Sequence, residues 1–276
     1  TGVGLTHDGP GADDGDPGRY YPSGRRNYAR IVAADDYQGA ASALLAQRLG
    51  KKAVYALHDG SRYGLGIATS FRDAARELDL PVVGFEEWDP AASGYAALAA
   101  KIAKTGADVV YLGGLVTANG GKLVGDLAGG LGKDVQLMAS DGFTPIEAVV
   151  QSAGAAAAEG LTVSVAGLPN SALRGRGRVF LAAFRKVIGR EPDPYSVYAA
   201  QATEVLLDAI ARSDGSRASV TAQLFRTKVK NGILGTFAID ANGDTTTNPV
   251  TIYRVRKGKA APFRAVVPPS SLVSRD

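Results

Sequence analysis

Residues 54–75, VYALHDGSRYGLGIATSFRDAA, set the reading of the whole chain. A short apolar run, 54–57, passes into a glycine-bearing loop and then into a helical period with Ile67, Phe71, Ala74 and Leu78 on one face. Strand, tight turn and helix in that order open a βα unit. The dinucleotide fingerprint needs three small residues, so that the backbone can turn, approach a pyrophosphate and pack on the sheet. Gly64 and Gly66 fit, but the third position is Thr69, and bulky Tyr63 stands directly before the first glycine. The loop is either an imperfect phosphate cradle or a βα turn that binds a ligand without acting on it, and the rest of the chain decides.

Working outward, the alternation continues. Upstream, YQGAASALLAQRLG (37–50) predicts a helix with Asp35 or Asp36 as N-cap and Gly50 at the stop. Downstream, strands at 81–88, 107–114 and 135–140 alternate with helices at 66–79, 94–106, 119–132 and 144–154, the last with Pro145 in its first turn. The short strands are nearly all apolar, which predicts a parallel sheet covered on both faces, an α/β fold. Residues 159–169 read as a further strand leading to a crossover. Helices at 176–189, 194–213 and 216–229 follow, and 235–240 with 249–259 read as a closing hairpin-like pair around the turn ANGD. The first 30 residues, dense in Gly, Pro and Asp, read as a loop or arm.

The bulk properties remove several function classes. A chain of 276 residues, 45% hydrophobic, buries one large core or two modest ones. No apolar run approaches the ~18 residues of a membrane span. The net charge of +4 rests on a small scattered excess of bases, and the run Arg174, Arg176 and Arg178 reads as a solvated loop, so no nucleic-acid partner is expected for this segment. The absence of cysteine excludes disulfides, thiolate metal sites and cysteine nucleophiles. His7 and His58 are the only histidines, which leaves little for a Ser-His-Asp scheme. The chain opens TGVGLTHDGP, with neither an initiator Met nor a basic-then-apolar leader, so the expectation is a removed leader or an excerpt of a longer protein.

Ligands of open α/β sheets sit at the carboxyl ends of the strands. The residues found there are His58-Asp59 and Tyr63-Gly64, Trp88-Asp89, Gly113-Gly114-Leu115 and Ser140-Asp141-Gly142. Asp141 is placed to hold a cation or a ligand ammonium, unless Asp-Gly is turn chemistry alone. His58-Asp59 is an acid/base pair or a hydrogen-bonded loop. DANGD (240–244) has Thr245 and Thr251 where a calcium loop needs Gly and Glu, and reads as a β-turn. GGLVTANGGKL has Leu123 where a P-loop needs a hydroxyl after Lys122. No catalytic constellation survives, and no metal or cofactor is expected. The ladder of strand-end residues is the pattern of a binding cleft.

Six segments in order, AADDYQGAASALLAQRLGKKAVYALHDGSRYGLG, GADVVYLGG, LMASDGF, AGAAAAEGLTVS, PDPYSVYAAQATEVLLDAIARS and GILGTFAIDANGDTTTNPVTIYRV, resemble the type I periplasmic solute-binding proteins. The likeness is to the leucine/isoleucine/valine-binding branch that serves branched-chain amino-acid ABC transporters, and it covers about residues 25–256. It implies two parallel-sheet lobes joined by three crossovers, near 30–35, 164–169 and 243–248, with ligand held between the lobes by hinge closure. It assigns 31–166 and 247–266 to a complete second lobe, 1–30 and 167–246 to an incomplete first lobe, and 267–276 to a tail. A truncated chain, or a missing N-terminal segment or partner chain, is therefore expected.

The resemblance also implies site residues. Asp141, followed by Gly142, matches the acidic position that takes a ligand ammonium. Tyr63 matches an aromatic that closes over the ligand, and Thr1 a first-lobe hydroxyl that takes the carboxylate. Tyr195 faces the cleft, or else belongs to the helix core. Leu115 stands where well-known members often carry Tyr, which widens or greases the pocket. The function implied is that of an extracytoplasmic substrate-binding component, not an enzyme, which takes an amino acid or related small molecule and partners an ABC transporter permease. The alternative is a ligand-sensing module of a regulator or receptor on the same fold, cytoplasmic if so fused.

Overall fold

The computed structural model describes residues 2–273. The chain enters through irregular arm residues and forms α1 (Asp35–Arg48), β1 (Val54–His58), α2 (Arg62–Glu77), β2 (Val82–Glu87), α3 (Ala96–Ala103) and β3 (Val109–Gly113). It continues through α4 (Gly121–Gly130), β4 (Gln136–Ala139), α5 (Ile146–Ala153) and β5 (Thr162–Ala166). A helical excursion follows, α6 (Arg176–Ile188), α7 (Ser196–Ala211) and α8 (Arg217–Leu224), then β6 (Lys228–Gly232) and β7 (Gly235–Ala238). β8 (Val250–Arg256) and β9 (Lys259–Val266) close the fold.

The central sheet has the order β2-β1-β3-β4-β5-β8-β9. Its first five strands are parallel, β8 runs antiparallel to β5, and β9 antiparallel to β8. β1, β3 and β5 are buried along their whole length, as apolar strands between two helical layers must be. α1 and α2 cover one face, where Phe71 stacks on Tyr111 with ring centroids 4.1 Å apart. α3, α4 and α5 cover the other, around Trp88, Leu123, Leu127 and Phe143. Gly39 lets α1 approach α2, since a Cβ there would lie 2.5 Å from the Phe71 nitrogen.

Helix ends follow local chemistry. Ser61 accepts the Gly64 N–H and starts α2 at Arg62, earlier than the apolar period implies. Ala34, not an aspartate, is the N-cap of α1, and Asp35 and Asp36 occupy its first turn, where they complement the helix dipole. Gly50, at φ +70, follows the helix end as expected.

Two expectations need correction. The helix read over 216–229 stops at Leu224, because the polar segment TKVKNG turns near Asn231 (φ 53) and pairs β6 with β7. The expected closing pair of 235–240 with 249–259 does not form among the described residues, and the turn between them is closed instead by a single bridge, Ile239 to Thr245. β8 pairs instead with β5 and with β9, a strand whose small residues gave no alternating signal.

The three segments expected as crossovers run side by side. The Arg30 N–H donates to the Gly243 carbonyl at 2.8 Å and the Gly167 N–H to the Pro249 carbonyl at 2.7 Å. Ile31, Ala33, Gly167, Leu168, Thr247 and Pro249 together line a cavity of about 90 Å³. The region 167–246 contributes three helices and a two-stranded antiparallel ribbon, with no parallel sheet of its own among the described residues.

The arm is tied down rather than loose. Ser70 donates to the Pro10 carbonyl at 2.8 Å, and Gly11 packs so closely on α2 that a Cβ would lie 2.6 Å from the Gly66 carbonyl. No helix among the described residues is long and apolar enough to cross a membrane.

Candidate functional site

Asp141 leaves the end of β4 in a short 3-10 turn, Asp141–Phe143. Its neighbour Gly142 is forced by close approach: a Cβ would lie 2.1 Å from the Gly114 carbonyl and 2.9 Å from the Tyr63 ring. The loops after β3 and β4 therefore touch backbone to backbone. Asp59, at the end of β1, ties in a third loop, accepting the Leu115 N–H at 2.9 Å, the Ser61 N–H at 3.0 Å and the Ser61 hydroxyl at 2.5 Å.

Onto this frame come two phenols. Tyr63, in the first turn of α2, donates to Asp141 Oδ1 and accepts the Gly142 N–H at 3.0 Å. Tyr195, the N-cap residue of α7, donates to Asp141 Oδ2 at 2.7 Å. Burial, reinforced by the Asp141 charge, pushes both phenols above their ordinary value, so both remain protonated donors. Burial also raises the Asp35 carboxyl, and the charge of Asp141 adds to the shift. A cavity of about 340 Å³ lies against this cluster, lined by Gly2, Val3, Gly4, Tyr20, Asp35 and Tyr63. A second, of about 450 Å³, opens beside Tyr195 between Thr144, Pro145 and Tyr253.

The structure thus brings together Asp141, Gly142, Tyr63 and Tyr195. Tyr195 is a contact of the cluster and also packs on Tyr198, so both of its readings hold in part. Leu115 stands next to the Gly114 contact with its side chain 40% exposed. Thr1 lies outside the described residues. His58 and Asp59 point apart: the His58 ring tilts on Phe85 at 5.3 Å and its Nδ1 accepts the Gly60 N–H at 3.2 Å. In DANGD, Asp240 Oδ1 accepts the N–H groups of Asn242 and Asp244 at 2.9 Å each, which is turn chemistry.

Two residues escaped the sequence reading. Asp35 was legible only as a cap, although paired aspartates at a helix start exceed what capping needs. His7 joins the arm to the first turn of α1 and to the turn at 240–244: Nε2 meets Asp36 Oδ2 at 3.0 Å and Nδ1 meets Asp244 Oδ2 at 2.9 Å. Arg30 Nε takes the other Asp244 oxygen at 2.6 Å. Burial works against the His7 charge, but the ring's hydrogen bonds to Asp244 and Asp36 prevail and raise its pKa to about 9.

Chemically, the cluster is a carboxylate already oriented by two neutral donors. A carboxylate has about four lone-pair sites, so it still has room for a cationic donor.

Comparison with known proteins agrees with this architecture. The periplasmic binding protein family pattern matches residues 15–260. A Leu/Ile/Val-binding protein homolog of Brucella abortus is 29% identical over 236 residues, covering 84% of this chain and 62% of that protein. A leucine-, isoleucine-, valine-, threonine- and alanine-binding protein of Pseudomonas aeruginosa is 26% identical over 83% of this chain and 60% of its own length. The crystal structure of a leucine-binding protein from Thermotoga maritima superposes with a TM-score of 0.78 at 25% identity, over 89% of this chain and 69% of that one. The chain spans less than two thirds of the length of the first two relatives. With a parallel sheet, ligand-type residues at its strand ends and a match over residues 15–260, this chain belongs to the periplasmic binding protein family.

Proposed function

We propose that this protein binds a small amine-bearing molecule, an amino acid or a close relative of one, as the extracytoplasmic substrate-binding component of an ABC transporter whose permease is its partner. The observation that carries this reading is the convergence of Tyr63 and Tyr195, from distant parts of the chain, on Asp141 at a strand carboxyl end. The adjoining cavity of about 340 Å³ is within the range of small-ligand sites. Asp141 takes the ammonium, the phenols hold the carboxylate in place, and Thr1 supplies a hydroxyl toward the ligand carboxylate. Leu115 gives an apolar wall where a phenol is common, which favours ligands with apolar side chains. The names of relatives that bind leucine, isoleucine, valine, threonine or alanine support the same ligand class.

In this reading 31–166 and 247–266 form one lobe, and 1–30 with 167–246 belong to the other. Ligand favours the closed arrangement by touching both, with rotation about the three adjacent crossovers. The test is calorimetric titration of the chain with leucine, valine and alanine, and with N-acetyl-leucine. Binding of the free amines and not of the acetylated compound supports the reading. Equal binding of both removes Asp141 as an ammonium site.

A further inference from the structure

The β8–β9 hairpin differs in charge from the rest of the chain. Residues 250–273 hold five basic side chains, Arg254, Arg256, Lys257, Lys259 and Arg264, and no Asp or Glu, whereas the whole chain carries 27 acids against 31 bases. β9 is the last strand of the sheet, so the hairpin forms an edge. Arg256 pairs with Lys259 across a two-residue turn whose members, Lys257 and Gly258, sit at φ 52 and 71. That turn places cations at the tip. Behind it, the Arg254 guanidinium lies 3.5 Å from the Phe263 ring centre and that of Arg264 5.7 Å from the same ring.

This charge is not offset within the hairpin. Arg254 Nε is buried without a hydrogen-bond partner. Burial and the like charges of Arg256 and Arg264 lower the Arg254 pKa. The nearby acid Glu159 accepts the backbone N–H of Lys257, at 2.7 Å, rather than a side-chain cation of the hairpin. Like charges held this close repel, and an anionic surface relieves the repulsion.

The form of the patch selects its occupant. The cations are spread along two strands and a turn rather than converging on one pocket. Small apolar residues, Ala261, Pro262 and Ala265, lie exposed among them, and Val267 beyond is 68% exposed. Pro262 removes an N–H from the edge strand and disfavours strand addition by a partner chain. A surface of one sign with small apolar contacts fits a plane of phosphodiesters. We propose that the β8–β9 hairpin is an electrostatic docking surface for an anionic phospholipid bilayer, with the arginines meeting lipid phosphates and the tip lysines lying in the headgroup layer.

The experiment is co-sedimentation of the full chain, at low salt, with vesicles of phosphatidylglycerol and phosphatidylcholine and with vesicles of phosphatidylcholine alone. The expected result is binding to the anionic vesicles only. Each of Arg256→Gln, Lys257→Gln, Lys259→Gln and Arg264→Gln should lower the partition coefficient about fivefold. Arg176→Gln, which removes one charge elsewhere, should leave it unchanged. Thermal melts check that the variants fold, and Ala261→Glu, at an exposed position, gives a second route to weakening the patch. The proposal is overturned if anionic vesicles recover no protein, or if the hairpin variants bind like the parent. It is overturned equally if the α6 control loses as much, or if poly-glutamate binds the hairpin more tightly than the vesicles do, which would assign the surface to an acidic protein.

Discussion

Tyr195 and Asp141, fifty-four positions apart, meet through a hydrogen bond of 2.7 Å that ties the start of α7 to the end of β4. The second carboxylate oxygen takes the Tyr63 hydroxyl, and that hydroxyl in turn accepts the Gly142 N–H at 3.0 Å. The carboxylate therefore has a fixed orientation before any ligand arrives. Preorganisation of this kind lowers the ordering cost of binding.

Asp141→Asn keeps the shape of the side chain but removes its charge. In a ligand-bound complex the amine would lose its charged acceptor, a loss of about 2–5 kcal/mol, or at least about 30-fold in affinity. Calorimetry with a free amino acid and with its N-acetyl form separates this from a general loss of fold. Unchanged affinity for the free amine would remove the assigned role.

The two phenols should differ in their contribution to stability. Tyr195→Phe removes one donor to Asp141 and should cost about 1 kcal/mol. Tyr63→Phe removes a donor to Asp141 and also strands the Gly142 N–H, so about 2–3 kcal/mol is expected. Urea unfolding of both variants checks the order, which would be wrong if Tyr195→Phe proved the more costly.

Gly142→Ala places a methyl group where the Gly114 carbonyl already lies, 2.1 Å from the new Cβ. The neighbour is backbone, so relief must come from shifting a loop. A destabilisation of about 1–3 kcal/mol is expected, together with displacement of Asp141 and loss of ligand binding. A neutral substitution by thermal melt would contradict the observed loop contact.

His7 gives the protein a pH dependence with a defined sign. Burial alone would lower its pKa, but the ring's hydrogen bonds to Asp244 and Asp36 raise it from the ordinary 6.5 to about 9 in the folded protein. The folded state binds the extra proton, so the stabilisation is complete below about 6.5 and is lost as pH rises through about 9. Its size is on the order of 2–3 kcal/mol. Urea midpoints measured across this window should fall with rising pH for the parent and stay flat for His7→Gln.

The parallel sheet was legible because strands buried on both faces are largely apolar, as β3 is throughout and β1 is up to His58. Asp141 was legible because it directly follows such a strand. β6 and β9 were not, since half-exposed strands such as KVKNG and KAAPFRAV carry neither a continuous apolar run nor a clean alternation. The His7 contact was beyond reach for a different reason. It joins an aperiodic arm to Asp244, 237 positions away, and no local signal reports a pairing of that span.

The ladder between β5 and β8 has a mechanical consequence. These strands pair from Thr162 with Arg254 to Ala166 with Val250. Beyond the last pair the chain leaves at Gly167 and returns at Pro249, held by the 2.7 Å bond between them and by the Thr251 hydroxyl on the Gly167 carbonyl at 2.6 Å. The excursion that carries α6 to α8 thus has two of its stems clamped together at a neck. A torque on those helices reaches the sheet as torsion of that strand pair. Movement of α7 also reaches the Asp141 end of β4 through the Tyr195 contact, and the bonds of Arg30 and His7 to Asp244 carry it to the arm and the start of α1.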